Sequence, residues 1–103
     1  MPYLLIFMDD FLQIIEKKKK EIKKKLEEHA IGNNIRLNPD EKTVSEILDK
    51  LMIRKRKFGD FYCPCRMVTD NNEKNKEIVC PCIYHLDEIE KNRSCLCGLF
   101  VKS

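Results

Sequence analysis

The chain has 103 residues, 43% hydrophobic and 36% charged, with no Trp, five Phe and three Tyr. That is enough for one small domain with an aliphatic core, near the lower size at which burial alone holds a fold. A net charge of +3 is too mild to argue for nucleic acid, and the apolar run from Tyr3 to Met8 is far shorter than the ~18–20 residues of a membrane span.

Phe11, Leu12, Ile15, Ile22 and Leu26 recur at helical spacing. Asp9 or Asp10 suits the cap at the start of this first helix, and Gly32 its stop. Lys17–Lys20 and Lys23–Lys25 fill its polar face, with Glu21 and Lys25 placed for an i, i+4 pair. A solvated face is the plainer reading of these lysines, and a docking face for an acidic partner the sharper one. His29, near the helix end, suits a dipole partner.

A second helix starts at Asn38-Pro39-Asp40-Glu41, with Asn38 as N-cap, Pro39 at the first position and Glu41 at the third. Val44, Ile47, Leu48 and Leu51 form its apolar stripe. Arg54-Lys55-Arg56-Lys57 closes it with positive charge, and Phe58-Gly59-Asp60 breaks it. Residues 70–76 read as a polar loop, 87–91 as a short helix, and 98–101 as a short strand or extended tail. The expected organisation is one domain, with a charged N-terminal helix over 1–33 and a cysteine-bearing region over 34–103.

All six cysteines fall after residue 60, as Cys63-Pro64-Cys65, Cys80-Pro81-Cys82 and Cys95-Leu96-Cys97. No Lys or Arg precedes the early apolar run and no small-residue cleavage site follows it, so the expected location is cytoplasmic. In that reducing compartment metal or redox chemistry is a better reading of cysteines than structural disulfides. Residues at i and i+2 of an extended chain point to one face, so each short loop can offer two sulfurs. A proline between them fixes φ and stiffens the loop. Arg66 after the first pair offers a cation that favours thiolate.

Structural zinc normally uses C-x₂₋₄-C spacing and four ligands. Ferredoxin-type clusters also use four cysteines, commonly in C-x₂-C runs. Both leave two cysteines over. A third arrangement uses them: four hold an iron–sulfur cluster and two form a dithiol beside it. Counting does not say which are which.

The order Cys63-Pro64-Cys65-Arg66, Cys80-Pro81-Cys82, Cys95-Leu96-Cys97 resembles the catalytic (β) chain of ferredoxin:thioredoxin reductase, over roughly residues 34–101. The resemblance implies a mainly α, single-domain fold capping a [4Fe–4S] cluster, with the cysteine motifs in loops and short helices. It implies Cys63, Cys80, Cys82 and Cys95 as cluster ligands and Cys65 with Cys97 as the redox-active pair, Cys65 being the nucleophile. It also implies a ferredoxin or similar low-potential donor and a thioredoxin-like protein substrate; the mild charge, the lack of an aromatic platform and the short apolar run leave neither nucleic acid nor membrane expected as partner. The sequence departs from the plant-type pattern: Leu96 stands where those chains have His, and the first gap between pairs is a little shorter and the second a little longer than in them. Archaeal and bacterial relatives, which lack the plant enzyme's small variable subunit, suit the composition better. His85, three residues after Cys82, is the candidate replacement proton donor. Arg54–Lys57 is the candidate face for an acidic ferredoxin. The rival readings are a non-enzymatic zinc or iron–sulfur interaction module and a simple one-electron carrier.

Overall fold

The computed structural model describes residues 2–103, with side chains from residue 12 onward. Among them the order is α1 (Pro2–Gly32), β1 (Ile35–Leu37), α2 (Glu41–Phe58), α3 (Asn72–Lys76), α4 (His85–Asn92) and β2 (Phe100–Lys102). The expectation of a mainly helical fold matches these four helices and one two-stranded sheet.

α1 begins well before the expected cap. Nothing in residues 3–8 breaks a helix, and a proline is tolerated in the first turn, so the helix continues back to Pro2. Asp9 and Asp10 therefore stand inside it; their side chains, and that of Phe11, lie outside the described residues. The lysine face is not wholly solvated. Lys19 Nζ donates to Ser45 Oγ at 2.8 Å and pairs with Asp49 at 2.9 Å, and its side chain is only 12% exposed. This fastens α1 to α2. The i, i+4 ion pair that forms is Lys23–Glu27, at 3.9 Å, in place of Glu21–Lys25.

α2 is capped by Asp40, not Asn38. Asp40 has extended backbone angles and its carboxylate accepts from the N–H groups of Lys42 and Thr43, while the Thr43 hydroxyl donates to its second oxygen. Both residues are good caps by type. Asn38 is engaged elsewhere: its Oδ1 accepts from Asp40 N–H and its Nδ2 donates to the Gly98 carbonyl. The helix ends at Phe58 as expected. Gly59 takes the left-handed conformation, φ 90°, that a glycine permits, and its N–H donates to the Lys55 carbonyl.

The core joins Leu26 and Ala30 of α1, Val44, Ile47, Leu48 and Leu51 of α2, Ile89 of α4, and Ile35, Leu99 and Phe100 around the sheet. β1 and β2 pair antiparallel, Ile35 opposite Lys102 and Leu37 opposite Phe100. Cys95 belongs to this same cluster, so the third cysteine pair is built directly onto the hydrophobic core.

Residues 70–76, expected as a loop, contain α3. Asn71 caps it by accepting from Glu73 and Lys74 N–H. Asn75 is buried and fully used: its Oδ1 accepts from Thr69 N–H and Oγ1, and its Nδ2 donates to the Thr69 carbonyl. A buried, satisfied amide of this kind ties the polar segment to the chain before it.

Candidate functional site

Backbone pairing sets the first two cysteine pairs side by side. Tyr62 and Val79 form an antiparallel bridge, Cys63 N–H donates to the Ile78 carbonyl at 2.7 Å, and Cys80 N–H to the Phe61 carbonyl at 2.8 Å. The third pair sits in a turn ahead of β2. Cys95 N–H donates to the Phe100 carbonyl and Gly98 N–H to the Cys95 carbonyl, each at 3.0 Å. Gly98 has φ 79°, where a β-carbon would strain the backbone. Phe100 N–H donates to Cys95 Sγ at 3.3 Å.

The three motifs converge on one pocket lined by Cys63, Cys80, Pro81, Cys82, His85, Glu88, Cys95, Leu96, Cys97 and Phe100. Five of the six cysteines are in that lining. Cys65 is not, and it is exposed, whereas Cys63, Cys82 and Cys95 are buried and Cys80 and Cys97 half-buried. Cys95 and Cys97 Sγ stand 3.7 Å apart.

Crowded thiols cannot all ionise together. Thiol hydrogen bonds, from Cys82 first and then Cys97, hold Cys63 well below its usual range. A hydrogen bond from Cys97 holds Cys95 down. The donors of those bonds keep their protons: Cys82 is pushed up by its bond to Cys63 and by burial, and Cys97 by its bonds to Cys63 and Cys95 and by burial. Burial pushes Cys80 up to about 12.

Cys65 differs from the sequence expectation. Its pKa is raised, chiefly by burial and then by the Cys63 charge; Arg66 acts in the expected downward direction but is outweighed. Arg66 is engaged elsewhere. Its Nη2 donates to Glu88 Oε2 at 2.6 Å, and its guanidinium lies 4.7 Å from the Tyr84 ring centre.

His85 is buried. Its Nδ1 donates to the Cys82 carbonyl, and its Nε2 faces His29 Nε2 at 2.9 Å. A carbonyl can only accept, so the hydrogen-bond pattern assigns the neutral tautomers: His29 Nε2–H donates to His85 Nε2, and His29 Nδ1 accepts from Asn33 Nδ2 at 3.5 Å. Burial, and then the His85 ring, lower the His29 pKa, which favours that neutral form. His29 is in the last turn of α1 as expected, but its ring is committed to His85.

The basic end of α2 reaches the first pair: half-buried Arg54 Nη2 donates to the Pro64 carbonyl at 3.3 Å. Lys55, Arg56 and Lys57 are exposed. Lys55 Nζ donates to the Gly59 carbonyl at 2.9 Å.

Sequence reasoning did not single out Glu88, Tyr84 or the pairing of His29 with His85. Glu88 is one acid among Asp87, Glu88 and Glu90, and only its half-buried place beside Arg66 separates it from its neighbours. Among the described residues no group of three or more His, Cys, Asp or Glu is arranged to hold a single metal ion, so the fit of a metal group rests on the donor chemistry. Thiolate is the ligand form for iron–sulfur clusters, and a pocket lined by five thiols supplies it with one to spare.

A family model described as ferredoxin thioredoxin reductase catalytic beta chain matches residues 12–103. The match begins inside α1, well ahead of the region in which the cysteine pattern carries the resemblance. No curated protein matches the chain.

Proposed function

The chain belongs to the ferredoxin thioredoxin reductase catalytic beta chain family of oxidoreductases, and from that premise we propose that it is a ferredoxin-dependent disulfide reductase acting on a thioredoxin-like protein. The observation that carries the reading is the division of the thiols. Five line one pocket, and the sixth, Cys65, stands outside it and exposed.

In this reading Cys63, Cys80, Cys82 and Cys95 hold a [4Fe–4S] cluster. When bound, the cluster supplies electrons one at a time for a reaction that needs two. The remaining steps belong to Cys65 and Cys97. The Cys65 thiolate attacks one sulfur of the substrate disulfide, and the other leaves as thiolate. Cys97 then attacks Cys65 Sγ as its proton passes to the departing substrate sulfur, forming the Cys65–Cys97 disulfide and releasing the substrate as a dithiol. Two electrons have passed to the substrate, and the ferredoxin-type donor restores them with two protons. For proton supply we assign His85, which lines the pocket. Its Nδ1–H is held by the Cys82 carbonyl and its Nε2 by His29, which fixes the ring beside the thiols. Leu96, 56% exposed, gives the pocket mouth an apolar lip suited to a protein surface.

The reading is tested on anaerobically purified protein by iron, acid-labile sulfide, visible spectrum and thiol titration, followed by ferredoxin-driven reduction of a thioredoxin-like disulfide. Iron and sulfide together with one titratable dithiol are expected. Colourless protein holding zinc would overturn the reading in favour of a structural module. A cluster without a titratable dithiol would make it a one-electron carrier.

The exposed cations at the end of α2, Lys55, Arg56 and Lys57, are assigned to the electron donor. Replacing Lys55, Arg56 and Lys57 with neutral residues should slow reduction by an acidic ferredoxin on the order of tenfold at low salt. The difference should close as screening shortens to ~8 Å at physiological ionic strength. Arg54 is left in place because it holds the Pro64 carbonyl. Stopped-flow rates across a salt series decide it; equal rates at every salt would remove the assignment.

A further inference from the structure

We propose that Glu88 is a positioning residue that sets the separation of the two redox cysteines. The inference rests on the assignment of Cys65 and Cys97 as that pair. Each oxygen of the Glu88 carboxylate takes a different motif. Oε2 accepts from Arg66 Nη2 at 2.6 Å, and Oε1 accepts from Leu96 N–H at 3.3 Å. Arg66 directly follows Cys65, and Leu96 directly precedes Cys97. One carboxylate thus grips the flank of each redox cysteine.

The grip is anchored at both ends. Glu88 precedes Ile89, which is 2% exposed and part of the core, so α4 is a fixed base. Arg66 is stacked at 4.7 Å from the Tyr84 ring centre, and its Nε is buried without a hydrogen-bond partner. Among the described residues, Glu88 is the one side chain that accepts a hydrogen bond from this guanidinium. The ion pair is half-buried, with 23% and 21% of the side chains exposed, so solvent screens it less than a surface pair.

Closing a disulfide between two loops is a ring closure. Its equilibrium follows the effective concentration of one thiol at the other. A link that holds the loops together favours the disulfide and speeds the attack of Cys97 on a mixed disulfide at Cys65. Loosening the link favours the dithiol.

The test is the equilibrium of the Cys65–Cys97 disulfide with a small dithiol buffer in the cluster-loaded protein. The buffer gives two electrons and two protons and is itself oxidised to its disulfide. Alkylation and mass spectrometry read the thiols, and the visible spectrum checks the fold. Glu88→Ala should shift the equilibrium about tenfold towards the dithiol, about 30 mV more positive for a two-electron couple. Glu88→Gln keeps an acceptor for Leu96 but loses the charge on Arg66, and should fall between Glu88→Ala and wild type. Glu90→Ala, on the same helix but paired with Lys102, should leave the equilibrium unchanged. A wild-type equilibrium in Glu88→Ala with an intact spectrum would overturn the proposal. If Glu88→Ala loses its colour, an unchanged Glu88→Gln overturns it equally. A wild-type protein with no titratable pair would instead overturn the reductase reading, and is seen before any variant is made.

Discussion

Cys97→Ser should hold a substrate protein covalently on Cys65, while Cys65→Ser should hold nothing. The asymmetry follows from exposure: Cys65 is exposed, and Cys97 lies in the pocket lining 3.7 Å from Cys95. An incoming protein disulfide meets Cys65 first. With Cys97 gone, no neighbouring thiol remains to attack the mixed disulfide, so the adduct persists. With Cys65 gone, the serine alcohol is a poor nucleophile towards sulfur, and turnover should fall by on the order of 10⁴-fold or more. Mass spectrometry of each variant after mixing with an oxidised thioredoxin-like protein reads the result. An adduct on Cys97 in the Cys65→Ser protein, and none on Cys65 in the other, would reverse the two roles. The raised pKa of Cys65 adds a pH signature: since only thiolate attacks, capture by Cys97→Ser should quicken as pH rises through that raised value.

Cys80→Ser should bleach the protein and leave it with little iron or sulfide. Cys80 is the sharpest choice among the four assigned ligands because burial pushes its thiol up to about 12. Near neutral pH the protein alone keeps that sulfur protonated, and only a bound metal makes it a thiolate. The lesion should also reach stability, since Cys80 packs against the hydrophobic core and Cys95 is part of it. For a domain of this size each kcal/mol lost lowers Tm by about 4–8 °C, which scanning calorimetry resolves. A Cys80→Ser protein with its full iron and sulfide would remove Cys80 from the ligand set.

The features legible in the sequence were those carried by short spacing. The apolar stripe of α2 is buried at Val44, Ile47, Leu48 and Leu51 as the periodicity predicts. The three C-x-C pairs announce a shared site, and their convergence on one pocket follows. Where two local signals competed, spacing did not decide. Asn38 and Asp40 are both capping residues, and Asp40 takes the role because Asn38 holds the Gly98 carbonyl across the fold. α3 was missed because Asn, Lys and Glu are as common in polar loops as in short exposed helices, and what locates it is the tertiary anchor of Asn75 on Thr69. Contacts between distant residues left no local trace. Glu88 meets Arg66 across 22 residues, and His85 meets His29 across 56. The Arg66 cation that looked free to serve Cys65 is paired with Glu88, and its downward pull on that thiol is outweighed by burial and by the Cys63 charge.

The pairing of β1 with β2 also orders the protein in time. Leu37 sits opposite Phe100, and Asn38 holds the turn at Gly98 and Leu99. During synthesis, Cys63 is added 39 residues before Lys102, a lead of about 2–8 s at ribosomal rates of ~5–20 residues per second. Cys65, Cys80 and Cys82 follow, so four thiols are in the chain before the strand and turn that complete their pocket. On the proposed ligand set, loading of iron and sulfide would wait on translation of β2, and an oxidant that reached the nascent chain first would meet thiols with no enforced choice of partner.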